Sequence, residues 1–227
     1  MELSALYSAR FSEPERKRKA RLWRTLWSAV FAEWVQPNDT VLDLGAGYCE
    51  FINAARARRR IAVDLNPDTP RFADPSVEVH TASASELAFL ADGSTDVVFT
   101  SNFLEHLPDK KVVAQVIAEA HRVLRPGGTL IAMGPNIRLV PGAYWDFFDH
   151  YVPLSERSLA ELLLTSGFEL KLVEARFLPY TTKSPLSRLD WLVPLYLALR
   201  PISSFVLGKQ FLVVAERRPP QQQGRTT

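Results

Sequence analysis

Apolar and polar positions along the chain follow two periods. Short apolar runs bounded by turn residues predict strands at 40–44, 60–64, 76–80, 95–100, 128–133, 168–177 and 210–216. Between them, apolar residues recur at helical spacing and predict helices at about 48–57, 109–124 and 155–166. The segment 109–124 carries Val112, Val113, Val116, Ile117, Ala120, Val123 and Leu124 on one side, and "RPGG" ends it. A further helix precedes the first strand. Ser12 and Glu15 have capping-box spacing at its start, Trp23, Leu26, Trp27, Val30, Phe31 and Trp34 form its apolar stripe, and "QPND" stops it. Strands alternating with helices argue for an α/β fold with a mostly parallel, doubly wound sheet, covered by helices on both faces. One domain is expected over 1–218, and the polar segment 219–227 is expected to be a disordered tail.

Composition narrows the function classes. The chain has 227 residues, 47% of them hydrophobic, enough for one substantial core. A net charge of +2 gives no global pull toward nucleic acid, and the run "ERKRKARLWR" reads as a solvated helix face. Cys49 is the single cysteine, so no intrachain disulfide forms. The N-terminus lacks the apolar stretch of a secretory signal. The most apolar stretch, "LDWLVPLYLALRPISSFVLG", is interrupted by Asp190, Pro194, Arg200 and Pro201, and no unbroken run approaches the ~20 residues of a spanning helix. These features predict a soluble, cytoplasmic protein with no nucleic-acid partner.

The candidate chemistry begins at "TVLDLGAGYCEFINAARARRRIAVDLNP". A strand runs into Gly45 and Gly47, a helix follows, and a second strand ends on Asp64. This is the outline of a nucleotide-binding βαβ unit. A dinucleotide loop asks for G-x-G-x-x-G, and Glu50 stands in the place of the third glycine. Asp43 lies just before the loop. Two carboxylates disfavour a diphosphate and suit a ligand with cationic groups and no phosphate. S-adenosylmethionine is such a ligand. Glycines would let backbone approach it closely, and Asp64 would accept hydrogen bonds from its ribose hydroxyls.

Here the sequence resembles the class I S-adenosylmethionine-dependent methyltransferases. "VLDLGAGYCEF" is similar to their first motif and "IAVDLNP" to the second strand with its ribose acid. "DVVFTSNFLEHL" is similar to the fourth strand and its loop, and "AHRVLRPGGTLIAMGPN" to the next helix, turn and fifth strand. The match spans about residues 38–136, with a weaker likeness through "WDFFDHYVPLSERSLAELLLTSGFEL". The resemblance implies a Rossmann-like, seven-stranded sheet whose last strand is antiparallel, and S-adenosylmethionine as cofactor. It implies a cofactor site at Asp43, Gly45, Ala46, Gly47, Asp64, Leu65, Ser83 and Asn102. Leu65 would pack beside adenine. Asn102 opens the loop whose backbone meets the methionine end. Ser83 stands where the family usually has an acid for the adenine amino group. Cys49 stands where the family often has another glycine and reads as packing rather than as a nucleophile.

His106 and His150 are the candidate catalytic residues. His106, in "LEHL", either faces the ligands or holds its loop. His150, in "YWDFFDHY", either takes a hydroxyl proton during methyl transfer or packs its loop. His80 and His121 read as structural, and no metal-binding spacing stands out.

Residues 179–208 form an apolar insertion before the last strand, with Trp191, Tyr196, Lys183, Arg188 and Arg200. Three readings stay open: a lid over an acceptor pocket, a peripheral membrane contact, and a dimer contact. The leading expectation is methyl transfer to a small-molecule or amphiphilic, lipid-linked acceptor, with oxygen as the candidate accepting atom. The alternatives are an NAD-dependent oxidoreductase and a non-catalytic binding protein of the same fold.

Overall fold

A computed structural model describes residues 13–180 and 192–219. Ser12, Trp191, Lys183, Arg188 and most of the expected tail lie outside them. Seven strands form one sheet: β1 Thr40–Leu44, β2 Arg59–Asp64, β3 Val77–Thr81, β4 Thr95–Ser101, β5 Leu124–Pro135, β6 Phe168–Glu174 and β7 Gln210–Arg217. Their order is β3-β2-β1-β4-β5-β7-β6. The first five are parallel, and β7 runs antiparallel between β5 and β6. The chain winds outward from β1 to β3, then crosses to β4 on the other side of β1. Strand order therefore switches between β1 and β4, where open α/β sheets leave a crevice beyond the strand carboxyl ends.

Among the described residues, six α-helices flank the sheet: α1 Glu13–Ala29, α2 Glu50–Ala54, α3 Lys110–Val123, α4 Glu156–Thr165, α5 Leu192–Ala198 and α6 Arg200–Leu207. Asp109 caps α3 by accepting from the Lys111 and Val112 amides, and Ser155 with Ser158 forms a capping box on α4. Alternate strand residues feed opposite faces. Leu42, Val98 and Leu130 pack with Val113, Ile117 and Leu163 under α3 and α4. Val41, Phe99 and Ile131 pack with Leu26, Phe31 and Phe51 under α1 and α2. Both faces are covered, which is why the central strands read as continuous apolar runs.

The helix expected over 48–57 is shorter, because Cys49 adopts φ 58 and the helical turn starts only at Glu50. The strand expected over 168–177 ends at Glu174. In the other direction, β5 begins at Leu124, which already pairs with Thr95.

The insertion is described at 179–180 and over 192–208, where it carries α5 and α6. It leaves the sheet on the strand carboxyl side, since Gln210 pairs with Pro135 at the end of β5. Tyr196 is buried and donates to the Phe177 carbonyl at 2.8 Å, so α5 closes the core beneath α1.

Candidate functional site

Gly45 follows β1 directly. Its amide and that of Ala46 donate to the Val63 carbonyl, tying the loop to β2. Its φ is +70, and a Cβ there would stand 2.3 Å from the Phe103 ring. Glycine is thus required twice, by backbone conformation and by the loop after β4 that closes over it. Gly45→Ala is expected to lower stability by about 1–2 kcal/mol from the left-handed backbone alone and to displace Phe103. Urea unfolding checks this; an unchanged midpoint would show that the loop relaxes freely.

Asp64 ends β2 and is buried. One carboxylate oxygen accepts from the Gly47 amide at 2.7 Å and the other from the Asn66 amide at 2.8 Å. The acid therefore fixes the glycine loop and keeps further lone pairs for a ligand. Burial raises its pKa, and the two amides only partly offset this. Asp43 is deeper still. Burial raises its pKa well above the usual carboxylate value, and the charges of Asp64 and Glu50 add to the rise. Lys19 of α1 lies 3.1 Å from Glu50. Glu50 thus has a cation of its own, whereas burial makes the charges of Asp43 and Asp64 costly unless a cationic group stands near them.

Cys49 is buried, and desolvation with the neighbouring Asp43 and Glu50 charges raises its thiol pKa. It is no nucleophile in this setting. Cys49 and Asn102 are the non-glycine residues with positive φ among the described residues, at 58 and 48. Both flank the switch point, where strained backbone marks a functional loop. The Asn102 amide donates to the Met133 carbonyl, and its side chain reaches the Ser101 hydroxyl. Leu65 is 57% exposed beside Asp64. The Ser83 hydroxyl pairs with that of Ser85 at 2.8 Å.

His106 and His150, distant in sequence, meet with ring centroids 4.8 Å apart. His106 Nδ1 bonds the Asp149 carbonyl at 2.9 Å and lies 3.2 Å from the Asp149 carboxylate. Burial works against its charge, yet Asp149 and Glu105 outweigh that and raise its pKa. The His150 ring stacks on Phe147 at 4.9 Å and tilts over Tyr144 at 4.6 Å. Glu105 is buried beside them, and desolvation raises its pKa. It lies close to Gly134 of β5, at the carboxyl end of the sheet. Sequence reading missed Glu105 and Lys19; a charged residue next to an apolar run gives no sign of its burial. His80 pairs with Glu78 and His121 packs against Phe168, both away from this cluster.

Comparison with known proteins agrees with this geometry. Residues 42–132 match the family described as a methyltransferase domain. A Mycolicibacterium smegmatis protein named as an S-adenosylmethionine-dependent methyltransferase is 38% identical over 132 residues, covering 56% of this chain and 50% of its own. A ubiquinone biosynthesis O-methyltransferase from Xanthomonas campestris is 34% identical over 111 residues, covering 44% of this chain and 45% of its own. The chain thus spans about half the length of the curated relatives it matches. In fold, it is similar to an S-adenosylmethionine-dependent methyltransferase from Archaeoglobus fulgidus, with TM-score 0.64, 19% identity, and 87% and 94% of the two chains covered. The ordered motifs, the strand order and these likenesses point the same way: residues 42–132 carry the likeness to the methyltransferase-domain family, and the sheet around them has the fold of known S-adenosylmethionine-dependent methyltransferases.

Proposed function

We propose that this protein transfers a methyl group from S-adenosylmethionine to an oxygen of a small-molecule or amphiphilic acceptor. The observation that carries the reading is the carboxylate-walled glycine loop. Asp43 and Asp64 are buried on either side of the glycine loop at the switch point, with raised carboxyl pKa values, and Glu50 follows the loop. That wall repels a diphosphate and favours an ammonium and a sulfonium. The cofactor, when bound, supplies a methyl carbon activated for displacement. Asp64 would hold the ribose, Leu65 would cover the adenine, and Gly45, Ala46, Gly47 and Asn102 would offer backbone to the methionine end. Positioning and exclusion of water then carry much of the rate enhancement.

His106 and His150 stand on the acceptor side and act on the acceptor hydroxyl. Oxygen as the accepting atom draws support from the relative named as an O-methyltransferase. The start of the insertion supports a covering role for 179–208. Tyr180 donates to the Ala143 carbonyl at 3.2 Å and meets Phe147 edge-on at 5.9 Å, joining the insertion to the loop that carries His150. An amphiphilic acceptor fits α6, where Ile202, Phe205 and Val206 are 72%, 73% and 65% exposed. Arg176 lies 5.7 Å over the Phe205 ring, so a cation borders this apolar face, as peripheral membrane contact requires. No helix of the described residues is long and apolar enough to cross a membrane. With a single buried thiol, the chain suits the cytoplasm.

The deciding measurement is calorimetry of the full chain with S-adenosylhomocysteine and with NAD. Saturable binding of the first and none of the second is expected. The reverse pattern would replace the reading with an oxidoreductase. Acceptor-dependent formation of S-adenosylhomocysteine, measured over a panel of phenols and hydroxylated amphiphiles, separates an enzyme from a binding protein.

A further inference from the structure

We infer that Glu105, His106 and His150 form a binding site for a divalent transition-metal ion, of the zinc or cobalt class, beside the methyl-donor crevice. Among the described residues, these three offer ligand atoms that all lie within 4.8 Å of one another. Two imidazoles and a carboxylate suit a borderline first-row dication rather than magnesium or calcium, which prefer all-oxygen shells. Three protein ligands leave positions open for a small molecule.

The set is held in place before any ion arrives. The Glu105 carbonyl accepts from the Tyr151 and Val152 amides at 2.9 and 3.1 Å. The Asp149 carbonyl accepts from His106. These bonds lock the Leu104–His106 turn to the loop that carries His150. The Asp149 contacts also occupy Nδ1 of His106. In the neutral ring this keeps the proton on Nδ1 and leaves the Nε2 lone pair as the donor. A carboxylate behind a ligating histidine is the usual support for a bound metal. The His150 ring is fixed by Phe147 and Tyr144. Glu105 gives a second argument. The residue is 3% exposed, and a carboxylate buried this deeply is held as an anion only beside a cation.

The role of the ion rests on the methyltransferase reading, whereas its binding does not. An acceptor hydroxyl on an open position would lose its proton to solvent more readily. Its oxygen would then form the new bond to the methyl carbon as the carbon–sulfur bond breaks and that electron pair passes to sulfur.

The test uses the full chain stripped of metal and titrated with Co²⁺, read by visible absorption and by calorimetry, with Zn²⁺ as competitor. One equivalent is expected to bind, with ligand-field bands that Zn²⁺ abolishes. Glu105→Gln, His106→Ala and His150→Ala should each weaken binding by more than the roughly 10–100-fold that loss of a supporting group causes, and Asp149→Asn by about that range. S-adenosylhomocysteine binding, measured on the same samples, shows that each variant is folded. Its absence in the parent chain counts against the methyltransferase reading and leaves the metal result standing. No stoichiometric Co²⁺ binding, or binding unchanged by all three ligand variants, overturns the site.

Discussion

Asp64→Ala is expected to weaken S-adenosylhomocysteine binding by roughly 10²–10⁴-fold while the chain still folds. The side chain would give up to two charge-assisted hydrogen bonds to the ribose, each worth about 1.5–3 kcal/mol, and every 1.4 kcal/mol is about tenfold in affinity. The substitution also removes the acceptors of the Gly47 and Asn66 amides, so the loop that meets the cofactor loses its anchor to β2. Both effects act in the same direction. Ser83→Ala is the smaller companion: it removes at most one neutral hydrogen bond to the adenine, about 0.5–1.5 kcal/mol, and should weaken binding by about tenfold or less. The ligand-free protein gives a second readout. The Asp64 pKa is raised in the fold, so the folded chain holds this proton more tightly than the unfolded chain. Stability then falls as pH rises from the unfolded value of about 3.9 through the folded value. Without the carboxylate, that part of the fall disappears, and the variant should be less pH-sensitive over the acid range. Calorimetric titration and thermal melts at several pH values measure both. An unchanged dissociation constant would remove Asp64 from the cofactor site.

The architecture was legible because period and punctuation agreed along the chain. "TVLDL", "DVVFTS" and "TLIAM" are apolar runs closed by glycine or asparagine, and each became a strand buried on both faces. The ends of those strands also pointed to Gly45, Gly47 and Asp64 as candidates for a cofactor loop. Local spacing can suggest them because they lie within one βαβ unit. It does not carry the acceptor side. Glu105 and His150 are far apart in sequence and meet only because two backbone hydrogen bonds join their loops. Cys49 shows a subtler limit: its residue type reads as small and apolar, and only the fold reveals φ 58, the reason a glycine would also suit that position. The insertion reads as apolar throughout. Its two roles, Tyr196 closing the core and Phe205 facing outward, separate only when α5 and α6 are placed against α1 and β7.

That placement changes how the acceptor side must be tested. Deleting 179–208 would open the core at Tyr196, so a single side chain is the better probe. His150→Phe is expected to lower acceptor-dependent turnover by about 10²–10⁴-fold, the range for losing help with the acceptor's proton, whether the imidazole takes that proton itself or holds the ion that acidifies the hydroxyl. The phenyl ring fits the slot against Phe147 and Tyr144, where the imidazole centroid lies 4.9 and 4.6 Å from theirs. Phenylalanine keeps that packing and removes both nitrogens, which separates chemistry from support. His150→Ala removes packing as well, and should show the same loss of turnover with a lower melting temperature. The S-adenosylhomocysteine dissociation constant should hold in both variants, because the cofactor loop draws on β1, β2 and the start of β4's loop rather than on the segment from Phe147 to Val152. The measurement is initial rate at saturating S-adenosylmethionine with an acceptor found by the panel, beside a melt and a cofactor titration of each variant. Full activity in His150→Phe with reduced activity in His150→Ala would make the residue a loop support, and the proton of the acceptor would then leave by another route.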